Sequence, residues 1–181
     1  MENQISNGVK KYLSAFILIA LGIAARFLPH AANFAPIGAI AIFSGIYLPK
    51  KWAIVLPVAA MFFSDIFIGF YALPIMLSVY AGFIIMGLIG LQIRKNKKVS
   101  TVLGGTVLGA VLFYLVTNGA VWAFGSLYPH TVAGLFSSYA MAVPFFRNSL
   151  LGDLFYTSAL VGAYEASLAF IHREKKVKIT A

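Results

Sequence analysis

Six apolar runs divide the chain, at residues 12–28, 31–48, 52–70, 73–93, 99–124 and 148–171, with short polar or basic interruptions between them. A helix that crosses a hydrocarbon core of about 30 Å needs roughly 20 residues, and most of these runs approach or exceed that. The second run is the short one: its uninterrupted part, 36–48, covers only roughly 20 Å as a helix, and starting at Ala31 repairs most of the shortfall. The pattern predicts an all-α integral membrane protein in which six transmembrane helices form one compact bundle, a single domain over 1–181. The first run follows Lys10 and Lys11 but lacks a small-x-small cleavage pattern before Arg26, so it is expected as a retained helix.

Basic residues orient this bundle. Twelve of the fourteen Lys and Arg fall in four clusters, at 10–11, 50–51, 94–98 and 173–178. Six crossings put all four clusters on one side, and positive loops stay cytoplasmic, so both termini are expected inside. If 31–48 were re-entrant, five crossings would split the charges 11 to 3 in place of 12 to 2. The six-crossing arrangement is preferred, and it leaves Arg26 and Arg147 on the outer side.

A content of 61% hydrophobic and 10% charged residues, with a mean hydropathy of +0.89, lies outside the soluble range. The net charge of +9 sits beside apolar runs, where it reads as a topology signal and a contact to anionic lipid, not as a nucleic-acid surface. The chain has no cysteine, which removes disulfides and thiol catalysis. Neither a cofactor nor a metal site is expected.

The remaining polar chemistry gathers at the outer mouth. Asp65 and Asp153 each sit in an apolar helical stretch, where an unpaired charge is costly and needs a partner or a polar cavity; Arg147 and Arg26 are the available partners. Tyr114, Asn118 and Trp122 recur every four residues on the fifth run, and Ser149, Asp153, Tyr156, Thr157, Leu160 and Tyr164 share one face of the sixth. The substrate-binding candidates are Arg26, His30, Asn33, Asp65, Asn118, Trp122, Tyr128, His130, Arg147, Asn148 and Asp153. The segment 125–147 is long for an outer loop, and its apolar middle, 132–143, predicts a short interfacial helix serving as a lid or as a plain anchor. Trp122 either stacks on a flat ligand or sits in the aromatic belt, and an ion pair of Asp65 or Asp153 with Arg147 could simply lock helix ends together. Glu165, near the inner end, is expected to reach toward Arg173 or a partner. Small residues at Ala20-xxx-Ala24, Ala41-xxx-Gly45 and Gly105-xxx-Gly109 mark close helix approaches, within the bundle or to another subunit.

Size, six-pass layout and outer polar cluster resemble the substrate-binding S components of energy-coupling-factor (ECF) vitamin transporters. The stretches Asn33-Phe34-Ala35-Pro36-Ile37-Gly38, Ser64-Asp65, Thr117-Asn118 and Pro144-Phe145-Phe146-Arg147-Asn148, running on to Gly152-Asp153, resemble an uncharacterised bacterial six-helix family labelled S-component-like. The resemblance covers about residues 24–165. It implies capture of a vitamin or related micronutrient at the outer face of the bacterial inner membrane, with a coupling subunit and ATPases driving release inward. It also implies docking of that subunit on the Ala20 and Ala24 face. A corrinoid is among the candidate ligands, with His30 or His130 as axial ligand. An intramembrane enzyme and a membrane scaffold are the rival classes. No nucleophile motif or His-Glu-x-x-His pattern supports the first, and a scaffold has little use for buried outer carboxylates.

Overall fold

The computed structural model describes residues 31–180 and, before them, 13, 16, 17, 19, 20, 23 and 24; for 172 and 174–180 the description covers the backbone alone. Five helices can be followed along their length: α1 (Ile37–Tyr47), α2 (Trp52–Ile68), α3 (Leu73–Ile93), α4 (Val99–Phe124) and α5 (Val132–Thr180). Three of them contain stretches long and apolar enough to cross a membrane: Leu73–Ile93, Val99–Phe124 and Val132–Ile171. The protein is therefore all-helical, with the character of a membrane protein. The first predicted span lies mostly outside the described residues. Those of its positions that are described are helical, and Ile19 and Ile23 pack against the core.

Helix α1 organises the bundle. It has 11 residues, all of them buried, and it packs against each of the other four helices. At 1.5 Å per residue it is roughly 16 Å long, so the second run is a core helix and not a full-length span. An apolar run of 10–14 residues is more often buried in protein than exposed to lipid. Close approach to α3 is set by glycine: a Cβ on Gly45 would strike the Gly87 carbonyl, and one on Gly90 would strike the Ile42 carbonyl. Gly87 in turn lies on the carbonyl of Ala53 in α2. That carbonyl has no intrahelical donor, because Pro57 occupies the position four residues on and lacks an N–H. The Ala41-xxx-Gly45 motif is thus an internal seam, and so is Gly105-xxx-Gly109, whose glycines sit against Ile93 and Met86 of α3.

Residues 132–143 do not form a separate interfacial helix. They are the first turns of α5, which runs on without interruption for 49 residues with Pro144 inside it. This stretch returns along α4 as an antiparallel hairpin. Tyr114 donates to the Tyr139 carbonyl (2.6 Å) and Tyr139 donates to the Leu115 carbonyl (2.9 Å). The indole N–H of Trp122 reaches the carbonyls of Pro129 (3.2 Å) and Thr131 (3.1 Å). Pro144 marks a loop by its turn preference, but neighbouring helices can support a helix across a proline.

Both ends of α1 meet charge. At its carboxyl end, the Arg94 guanidinium donates to the Gly45 carbonyl (2.7 and 3.0 Å) and to the Leu48 carbonyl. Nearby, Lys97 lies over the Tyr47 ring at 4.7 Å, and the Tyr47 hydroxyl donates to Glu165 (2.5 Å). Glu165 therefore joins α5 to α1 in place of the expected reach toward Arg173. These contacts bring the basic clusters 50–51 and 94–98 to one end of the bundle. The α5 backbone passes Gly38 at residue 153 and Tyr47 at residue 165, then continues beyond that same end. The opposite end of α1 meets Asp153.

Candidate functional site

A cavity of about 400 Å³ opens between the helices at the amino end of α1. Ile37, Gly38 and Asp153, all buried, form its floor, while the exposed Asn33, Ile68 and Tyr71 mark its mouth. Met61 of α2, Val79 and Phe83 of α3, and Phe113 and Thr117 of α4 make the walls, and Ser149 of α5 adds a hydroxyl. Phe83 and Phe113 face each other with ring centroids 4.7 Å apart, inclined by 40°. A second cavity of about 130 Å³, between α4 and α5, shares Asn33, Phe113, Thr117 and Ser149 and adds Asn118 and Tyr114.

Local sequence explains how the floor is made. Asn33 adopts a left-handed backbone (φ 63°), a conformation that asparagine tolerates better than most residues. It turns the chain into Pro36, the N-cap of α1, where no side chain caps the exposed N–H groups. Asp153 fills that place electrostatically: its carboxylate packs on Gly38, where any Cβ would collide with it. The preceding residue of α5 repeats the fit, with Gly152 against the backbone of Phe34 and Ala35.

Asp153 is 7% exposed, and among the described residues no hydrogen bond or ion pair reaches its carboxylate. One turn farther along α5, the Thr157 hydroxyl is fully buried and also lacks a hydrogen-bond partner among the described residues. Helix dipoles place roughly half a positive charge at an N-terminus, which favours the carboxylate but supplies none of the directed donors that a buried carboxylate usually has. The expected pairing of Asp153 with Arg147 is not formed; Arg147 is exposed and lines neither cavity.

Asp65 has a different setting. It is 2% exposed and accepts from the Tyr80 hydroxyl at 2.8 Å, and it lines neither cavity. That bond ties α2 to α3. Among the other sequence candidates, Asn33 lines both cavities and Asn118 the smaller one. Asn118 also spends its amide on the Tyr114 carbonyl (2.8 Å). Asn148 anchors α5 to the segment before α1 by donating to the Ala32 carbonyl (3.0 Å). Trp122 holds the α4–α5 turn, where His130 lies 3.3 Å from the Gly125 carbonyl; Trp122, Tyr128 and His130 line neither cavity. Arg26 and His30 lie outside the described residues.

The polar stripe on α4 therefore splits between two jobs, since Tyr114 and Trp122 mainly fasten the returning helix. The face predicted on α5 is the buried one: Asp153, Thr157, Leu160 and Tyr164 are all buried. Sequence reasoning missed the walls. Met61, Phe83 and Phe113 are apolar residues in apolar helices, and nothing in their spacing separates a cavity wall from a lipid-facing surface. Thr117 and Ser149 stood within the signals read, the Thr117-Asn118 stretch and the face shared with Asp153, but were not named as binding candidates.

No curated protein and no solved structure matches the chain. A match does extend over residues 7–176, nearly its whole length, to a group described as a family of unknown function, DUF6580. The chain belongs to that family.

Proposed function

We propose that this protein is the solute-capturing membrane subunit of an uptake system of the S-component type, holding its solute in the larger cavity. One observation carries the reading: a buried carboxylate, Asp153, stands without a donor from the described residues at the floor of an apolar cavity of about 400 Å³. An unanswered charge within a membrane bundle costs a few kcal/mol even on the lenient insertion scale. A scaffold gains nothing from that cost, whereas a solute that completes the site recovers it on binding. The volume falls near the low end of ligand pockets, roughly 300–1,000 Å³, and suits a one- or two-ring micronutrient. A corrinoid is larger than this space, and His130, one of its two candidate axial ligands, is not at the cavity.

On this reading the chain passes six times between the two faces of the bacterial inner membrane, α1 being a short pass enclosed by protein, with both termini inside. The cavity then opens outward, opposite the basic clusters at 50–51 and 94–98. The chain is not an enzyme. Since the sequence has no phosphate-cradling loop, energy comes from a coupling subunit and ATPases, docking where Ala20 and Ala24 are exposed on their helix.

Mass spectrometry of small molecules retained by the detergent-purified protein tests the proposal, with Asp153→Ala and Arg147→Ala prepared identically. A stoichiometric solute kept by Arg147→Ala and lost by Asp153→Ala is expected. Lipid alone in all three preparations overturns it.

A further inference from the structure

We infer that the solute of the larger cavity is a small flat ring system carrying a cationic or N–H-rich nitrogen group and no acidic group. This rests on the capture reading and assigns its chemical class. The first argument is sign. Ionised, Asp153 only accepts, and it has no donor from the described residues, so a group that holds it in that form must donate. The α1 N-terminus contributes roughly +0.5 against the carboxylate's −1, leaving the floor about half a charge negative. No Lys, Arg or His is among the described residues lining the cavity. A ligand carboxylate or phosphate would therefore meet repulsion with no cation among the described lining residues to offset it.

The second argument is shape. Phe83 and Phe113 both line the cavity, 4.7 Å apart and inclined by 40°, and give it aromatic surface that can pack on a ring and attract a cation through a ring face. Asn33 and Ser149 bring groups that can both donate and accept to the same cavity. These orient a ring heteroatom without selecting a charge. The selection falls to Asp153.

The test titrates three probes of similar size into the detergent-purified full chain by calorimetry: benzamidine as the flat cation, benzyl alcohol as the neutral form and benzoate as the anion. Benzamidine is expected to bind at least about tenfold more tightly than benzyl alcohol, with no measurable benzoate binding. Asp153→Asn, which keeps the shape, is expected to weaken benzamidine by about 10- to 100-fold and to narrow its lead over benzyl alcohol. The comparison of probes on the unaltered chain needs no variant, so the inference stays open to refutation if Asp153→Asn fails to fold. Benzoate or benzyl alcohol binding as well as benzamidine overturns the charge class and leaves capture standing. Unchanged benzamidine affinity in Asp153→Asn removes Asp153 from recognition. Absence of binding by all three probes overturns the inference, and capture itself is then decided by the retained-solute experiment.

Discussion

Arg94 and Asp153, on different helices and of opposite charge, stand at the two ends of α1, the guanidinium against its last carbonyls and the carboxylate against its first turn. Each charge complements the helix dipole. Because α1 is buried throughout, water does not satisfy its last carbonyls, and the Arg94 fork does so in its place. Arg94→Ala should destabilise the bundle by about 2–4 kcal/mol, the worth of charge-assisted hydrogen bonds left unmade in the interior. Arg94→Lys should recover only part, since an ammonium cannot fork between two carbonyls. Thermal unfolding in detergent checks both.

The opposite sign is expected at the other end. Asp153 gains at most about 2 kcal/mol from the dipole, while an unpaired charge at membrane depth costs roughly 2.5–3.5 kcal/mol. Asp153→Asn should therefore raise the stability of the empty protein by about 1 kcal/mol, the difference between those two. A fall in unfolding temperature for the solute-free variant would show that the carboxylate serves α1 before it serves a ligand.

The glycine seam offers a contrast between positions of one residue type. Gly87→Ala pushes a methyl into the Ala53 carbonyl, and Gly45→Ala pushes one into the Gly87 carbonyl. Each should destabilise by about 1–3 kcal/mol, as overpacking against backbone does. Gly104→Ala and Gly162→Ala meet open space and should be neutral or stabilising by up to about 1 kcal/mol. Denaturation of the four variants in parallel gives the ranking.

How far the sequence revealed this fold depends on what its signals measure. Hydropathy located the boundaries of α3 and α4 to the residue, because both are long apolar helices ended by basic or glycine-containing turns. It could not tell that 37–47 is enclosed by protein, since an apolar run looks the same beside lipid and beside leucine. Pro144 and the polar residues around it read as a loop, because the tertiary contacts that hold 132–143 on α4 leave no local mark. Asp153 was legible as a lone carboxylate on a buried face. Its answering contact was misjudged, since Arg147 is near in sequence but points away, and Arg94, read only as a topology charge, turned out to cap a helix.

The hairpin between α4 and α5 can be loosened selectively. Tyr139→Phe removes the bond to the Leu115 carbonyl and Tyr114→Phe the bond to the Tyr139 carbonyl. Each should cost about 1 kcal/mol. The loss should be local, so amide hydrogen exchange is expected to quicken over 132–143 while residues 37–47 keep their protection.

The enclosure of α1 also bears on how the bundle is put together. An 11-residue helix touching protein along its whole length is too short to wait in the bilayer as an independent span, and its unpaired end groups would meet hydrocarbon. Its helical form depends on partners that the ribosome delivers later, Arg94 at the end of α3 and Asp153 deep within α5. During synthesis, then, residues 37–47 are an unfinished element until residue 153 of α5 has emerged, and the floor of the cavity does not exist before that.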